Sequence, residues 1–204
     1  IDRILTPNEI KDLGNQIASA ANTTLSRAKP IVSVSISYRD RPIRAQVIQP
    51  PAVDGGFAIS LRFFADLPLN QIKLSYLFGS ERSLEWLRRK RNAELREVVA
   101  TGGIDAAIAF CVEHKLNMIV AGGTSTGKTV IARKILSFVP PPERIITIEE
   151  AAELHPEQPN VVTLISNRDE AMRSADVLLT STLRMRPDRI VLGEVRGKEA
   201  MTFL

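Results

Sequence analysis

Asn117-Met118-Ile119-Val120-Ala121-Gly122-Gly123-Thr124-Ser125-Thr126-Gly127-Lys128-Thr129-Val130 is the stretch on which the reading of this chain turns. Residues 118–121 are apolar and have the length of a short buried strand. Residues 122–129 then fit G-x-x-x-x-G-K-[ST], the phosphate-binding P-loop. Its glycines let the backbone bend tightly around an anion with N–H groups turned inward. A helix starting near Gly127 points the positive end of its dipole at the same place. In such a loop Lys128 reaches the β- and γ-phosphates and the Thr129 hydroxyl ligates Mg²⁺. Residues 130–136 supply the helix, and Pro140-Pro141-Pro142 stops it.

Composition bounds the class. The 204 residues are 44% hydrophobic and 25% charged, enough for one large or two small globular domains. A formal net charge of +4 does not by itself imply nucleic acid; it fits a protein that meets phosphate or the anionic face of a membrane. The one cysteine, Cys111, lies in the apolar run 106–112. It excludes a disulfide framework and reads as a core residue in a reducing compartment. With two histidines and one cysteine, a zinc site has too few ligands of those types, and His114 reads as a cation at a helix end. No apolar run approaches the ~18 residues of a membrane span. The chain opens Ile1-Asp2-Arg3 without an initiator methionine or a signal-peptide pattern, so a piece of a longer translation product is expected.

Three segments are expected: a small α+β unit at 1–68, a charged helix or linker at 69–101, and a P-loop domain at 102–204. In the first, Thr6, Pro7 and Glu9 open a helix over 7–25, with Ile10, Leu13, Ile17 and Ala21 on one face. Strands follow at 31–38, 44–49 and 57–63, with a turn at Pro50-Pro51 and Asp54-Gly55-Gly56. Arg62 on the third strand has two readings, an exposed charge on the solvent face or an arginine reaching a nucleotide phosphate. In the second segment, Arg88-Arg89-Lys90-Arg91 follows Trp86. This run is a solvated face, a contact to anionic lipid headgroups, or a contact to a neighbouring subunit. Thr101-Gly102-Gly103 ends it, and an apolar helix over 104–114 leads to the P-loop.

Two further apolar runs end in acids. Residues 144–150 close on Glu149 and Glu150, with Glu153 one helical turn on. In open α/β sheets ligands sit outside the carboxyl ends of strands, which places these acids near a nucleotide; acids decorating a helix N-terminus is the plainer alternative. A helix at 176–182 precedes Arg184, Arg186 and Arg189, and the strand 190–194 ends in Glu194. An acid so placed organises Mg²⁺ or the attacking water in P-loop enzymes. The arginines suit phosphate neutralisation or pairing between subunits.

Together these motifs resemble the hexameric traffic ATPases of bacterial type IV secretion systems, relatives of the type II secretion and type IV pilus motors. The run at 122–129 is similar to their Walker A loop. I-T-I-E-E-A-A-E-L at 146–154 is similar to their acidic box, T-I-E-D-x-x-E-L. L-R-M-R-P-D-R-I-V-L-G-E-V-R-G at 183–197 matches their Walker B region nearly letter for letter. Weaker likeness covers Arg27-Ala28-Lys29-Pro30, Pro50-Pro51 and Ile59-Ser60-Leu61-Arg62.

The resemblance implies an α/β fold, a RecA-like P-loop NTPase core preceded by a small α+β N-terminal domain. It implies that Gly122, Gly123, Thr124, Ser125, Thr126, Gly127, Lys128 and Thr129 hold ATP, with Arg62 and Arg184 reaching the nucleotide. Thr129 and Glu149 would serve Mg²⁺, Glu194 would polarise water, Glu153 would assist, and Arg184 or Arg186 would sense the γ-phosphate.

Three departures stand out. Ser125 replaces the family's usual glycine, at a cost of about 1 kcal/mol if φ is positive there. Glu150 replaces Asp. The chain stops ten residues past Glu194, before the family's histidine-containing box.

The expected function is a Mg²⁺-dependent ATPase motor for secretion or pilus assembly. It would form a homohexameric ring, cytoplasmic and peripheral on the inner membrane, meeting inner-membrane secretion or pilus components and anionic lipid. Alternatives are a type II secretion or adherence-pilus motor and a nucleotide-binding subunit with impaired turnover. With 5% aromatic residues and no stacking motif, nucleic acid is not expected as a direct ligand.

Overall fold

Thr6 sets the first helix. Its hydroxyl accepts the Glu9 N–H (3.3 Å) while Glu9 Oε2 accepts the Thr6 N–H (2.9 Å), a complete capping box. Helix α1 (Pro7–Ala20) stops short of the expected residue 25, because Asn22 takes φ 53° and the Ala21 N–H turns back to Ala18. The computed structural model describes residues 4–64, 68–75, 83–195 and 200–201. Residues 65–67 and 76–82, around and inside the expected linker, and Arg196 and Gly197 of the Walker B-like run lie outside them.

Strands β1 (Ile31–Tyr38), β2 (Arg41–Ile48) and β3 (Ala58–Phe63) form an antiparallel sheet in that order. Strand β2 begins three residues before the expected 44. Arg39 and Asp40 both take positive φ (51° and 59°), so a two-residue turn carries the pairing out to Tyr38 opposite Arg41. Helix α2 (Leu84–Glu113) is capped by Ser83 and interrupted at Gly103, whose φ of 70° and ψ of −161° are not helical. The break falls where Thr101-Gly102-Gly103 foretells it. Helix α3 (Lys128–Ser137) follows the P-loop. Strands β4 (Ile145–Glu149), β5 (Val161–Ile165) and β6 (Arg189–Leu192) form a parallel sheet in the order β5-β4-β6, with helix α4 (Ala175–Thr182) between β5 and β6 in the chain. Strand β5 is an addition to the elements expected from sequence. Among the described residues no helix is long and apolar enough to cross a membrane.

The chain divides into two compact units, one of Ile1–Phe64 with Pro140–Leu204 and one of Ala65–Val139. In the first, both sheets feed one core. Ile146, Ile148 and Leu164 of the parallel sheet meet Ile31, Ile48, Val53 and Ala58 from the N-terminal part, and Leu178, Leu179 and Met185 from α4 and its exit. A smaller cluster, Ile17 with Ala45 and Val47, seats α1 on the antiparallel sheet.

Residues 52–54 run antiparallel along the outer edge of β5. The Asp54 N–H bonds Thr163 O (2.9 Å) and the Ile165 N–H bonds Ala52 O (3.0 Å), around a Val53–Leu164 bridge. An otherwise bare sheet edge is thereby covered. The buried Arg173 guanidinium ties the same parts together, donating to Glu170 (2.8 and 2.6 Å) and to Pro51 O (2.8 Å). The Arg173 hydrogen bond holds the Glu170 carboxyl below its ordinary value, so this contact supports the fold at neutral pH and is lost as acid protonates Glu170.

Leu164 is fully buried where the two sheets' side chains meet. Leu164→Ala is expected to cost about 2–5 kcal/mol in chemical denaturation. A change under about 0.5 kcal/mol would show that this core does not hold the unit together.

Candidate functional site

The P-loop lies in the Ala65–Val139 unit. Residues 116–123 carry no strand, contrary to the strand expected at 118–121. Apolar letters do not make a ladder without a neighbour to pair with, and the described part of this unit contains helices α2 and α3 and a short 3-10 turn at Leu69–Gln71 but no strand. Ile119 is accordingly 80% exposed. The turn itself is tight. Ser125 takes φ 59° and Gly127 φ 85°, which bends the chain sharply into α3. Thr126 Oγ1 donates to Gly123 O (2.9 Å) and Lys128 Nζ to Gly122 O (3.0 Å) and Gly123 O (2.5 Å), so the ammonium folds over the loop. Gly127 is the N-cap and brings no side-chain acceptor; the Ile131 N–H makes the helix's bond back to Gly127 O. Thr129 sits in that first turn.

An ammonium, a helix N-terminus and two left-handed residues therefore converge on one exposed loop. That donor set fits a polyphosphate. Ser125 bears the positive φ that its family position implies, at a cost of about 1 kcal/mol for a residue with a Cβ.

The acids lie in the other unit, at the carboxyl edge of the parallel sheet. Glu149 ends β4 and is 5% exposed. Its Oε2 accepts the N–H groups of Glu153 (2.9 Å) and Leu154 (3.0 Å), while its Oε1 is buried without a hydrogen-bond partner among the described residues. Residues 150–157 form no helix, so the helical turn expected to carry Glu153 is replaced by this carboxylate-capped turn; the Glu153 side chain is exposed. Gly193 lies against Glu149, where an added Cβ would come within 3.2 Å of Glu149 Cγ and 3.4 Å of Ile148 O. The Gly193 N–H bonds that same Ile148 O (2.8 Å), which sets Glu194 beyond the end of β6.

Arg168, on the loop after β5, links Glu150 and Glu194. Its Nε donates to Glu150 Oε1 (2.5 Å) and its Nη2 lies 3.8 Å from Glu194 Oε2. Sequence reasoning missed it. The available signal was weak: a charged residue three positions past the apolar run 161–165, near a strand end as the acids are.

The arginines separate. Arg184 and Arg186 follow α4 and are exposed, Arg186 with φ 53°. Arg189 instead enters the sheet and pairs with Glu143 (2.6 and 3.3 Å), a fold contact inside its own unit. Asp188 accepts the Arg144 N–H (2.8 Å) and so anchors the start of β4. Arg62 is exposed on β3, directly opposite Arg44, with the Phe64 ring near both guanidinium groups (6.0 and 5.6 Å). Among the described residues no three His, Cys, Asp or Glu side chains cluster to hold a metal unaided. Mg²⁺ ordinarily takes one or two protein ligands and completes its shell with water and phosphate.

A family described as "Type II/IV secretion system protein" matches residues 79–204. Over 99% of its length the chain is 32% identical to a putative conjugal transfer protein of Mycobacterium tuberculosis. The chain belongs to the type II/IV secretion system protein family. Within it, the likeness to the type IV secretion traffic ATPases holds. VirB11 of Rhizobium radiobacter is 35% identical over 79% of the chain. The crystal structure of the VirB11 ATPase from the Brucella suis type IV secretion system, in complex with sulphate, superposes with a TM-score of 0.75 at 28% identity. That match covers 98% of this chain and 60% of that one. The fold of this secretion-family chain is thus the expected α/β, RecA-like core preceded by a small α+β part. The chain spans about half the length of the curated relatives it matches, 54% of the mycobacterial protein and 50% of the Rhizobium one.

Ser125→Gly removes a left-handed Cβ. It is expected to stabilise the protein by at most about 1 kcal/mol, less whatever glycine's freedom gives back to the unfolded chain. Equilibrium denaturation reads the shift; a loss of stability would show that Ser125 is not strained.

Proposed function

We propose that this chain is the nucleotide-binding part of an ATP-hydrolysing motor of a bacterial type IV secretion system. The observation that carries the reading is the P-loop turn, with Ser125 and Gly127 left-handed and Lys128 Nζ folded over the loop at the start of α3, in a chain of this family. Residues 122–129 bind the triphosphate, Lys128 neutralising its β- and γ-charge. Thr129 and Glu149 are the residues that would hold Mg²⁺, the latter offering a buried oxygen that no donor among the described residues satisfies. Bound there, Mg²⁺ would neutralise charge on the transferred phosphoryl group. Glu194 accepts a hydrogen bond from the attacking water and orients it, with Glu153 assisting. Arg184 or Arg186 senses the γ-phosphate, and Arg62 reaches the nucleotide from the N-terminal domain. Catalysis by these side chains is positioning and charge neutralisation.

In the full-length protein we place the ATPase domain from residue 102 onward, after an N-terminal domain ending near 68 and a linker. Six copies form a ring on the cytoplasmic face of the inner membrane, working with secretion or pilus components there. The basic run 88–91 is the part that meets anionic lipid. A second reading, a nucleotide-binding subunit with impaired turnover, draws on Ser125 alone, since a strained loop can bind without cycling.

Two variants of the full-length protein test this. Lys128→Ala should abolish nucleotide binding, read by a fluorescent ATP analogue; wild-type affinity would sink the site. Glu194→Gln should keep binding and lower phosphate release by about 10²-fold or more. Tight binding without phosphate release by the unaltered protein would favour the second reading.

A further inference from the structure

We propose that Arg168 is the positioning residue for the Glu194 carboxylate. The inference rests on the reading of Glu194 as the group that orients water. Three adjacent parallel strands end at one edge, and each is followed within a few residues by a charged side chain: Glu150 after β4, Arg168 after β5, Glu194 after β6. Arg168 is the cation of the three. Its Nε is hydrogen-bonded to Glu150, which leaves Nη2 facing Glu194 at 3.8 Å. A guanidinium is planar, so a bond at Nε limits where Nη2 can lie. Glu150 thus aims the arginine, and the arginine holds the carboxylate beyond β6.

The loop that carries Arg168 is built to stay put. Ser166 bonds the Glu149 carbonyl through both its N–H (2.8 Å) and its hydroxyl (3.1 Å). Asn167 Oδ1 accepts the Asp169 N–H (2.9 Å), and the Asn167 N–H bonds Arg173 O (2.8 Å). Arg173 is itself buried and anchored to Pro51. The backbone that carries Arg168 is thereby fixed on both sides, and the Glu150 bond orients its side chain. Stability does not explain the arrangement. The side chains of Arg168, Glu150 and Glu194 are 57%, 52% and 43% exposed, and ion pairs so exposed contribute little to folding.

The test is ATP turnover by the full-length protein, with nucleotide binding measured in parallel as a control on folding. Arg168→Ala should lower kcat about tenfold or more while KM and nucleotide affinity stay within twofold. Arg168→Lys should recover part of the loss. In a Glu194→Gln background, Arg168→Ala should have no further effect, because the two act as one unit. The exchange Glu150→Arg with Arg168→Glu keeps a 150–168 ion pair but sets a carboxylate against Glu194, and it should remain slow. Wild-type kcat in Arg168→Ala, or full recovery in the exchanged protein, would overturn the proposal while leaving Glu194's role intact. Wild-type turnover in Glu194→Gln would overturn both.

Discussion

A carboxylate at the end of a buried central strand must be answered by donors, and in this chain that requirement shapes everything around it. All five residues of β4 are buried, Glu149 included. Removing a charge from water without compensation is costly. One oxygen of Glu149 is satisfied by the two backbone N–H groups of the turn that follows, which draws that turn back over the strand instead of letting it continue as a helix. The neighbouring strands are fitted to the same residue. Ser166 after β5 bonds its backbone carbonyl, and Gly193 after β6 has no side chain to clash with its Cγ. Glu150, Arg168 and Glu194 gather at that edge of the sheet.

The P-loop shows the complementary situation, with strain in place of burial. A turn this tight needs left-handed residues, and this chain supplies one glycine and one serine for the purpose. Ser125 therefore holds a conformation its Cβ resists. Such strain persists where the surroundings determine the backbone, and here Thr126 and Lys128 both donate to carbonyls of the same turn.

Much of this was legible in the sequence, and the reasons are local. The capping box at Thr6 and Glu9, the alternation through 31–38, the glycine break at 103 and the G-x-x-x-x-G-K-T run each depend on residues within one or two turns of each other. What was not legible depends on partners far away in the chain. The extra residues of β2 come from the left-handed pair Arg39-Asp40, neither of them the glycine or asparagine that advertises such a turn. Residues 118–121 have strand letters, but a strand exists only with a neighbour. Glu149 looked like one of three equivalent acids. Burial separates it from the exposed Glu150 and Glu153, and burial is a property of the sheet. The arginines 184, 186 and 189 looked alike for the same reason, until Glu143, 46 positions before Arg189, claims one of them for the fold. Arg168 was hard to single out because its meaning lies in two carboxylates that follow other strands.

The strip at 52–54 that lies along β5 has a practical corollary. It means that the front of the chain supplies the outermost rung of a sheet whose other strands are encoded about a hundred residues later. Cutting the polypeptide to residues 102–204 would strip that rung away, uncover Leu164 and leave a raw backbone edge open to any passing strand. Clumping or sluggishness in such a trimmed piece would then report the missing rung and not the residues that remain.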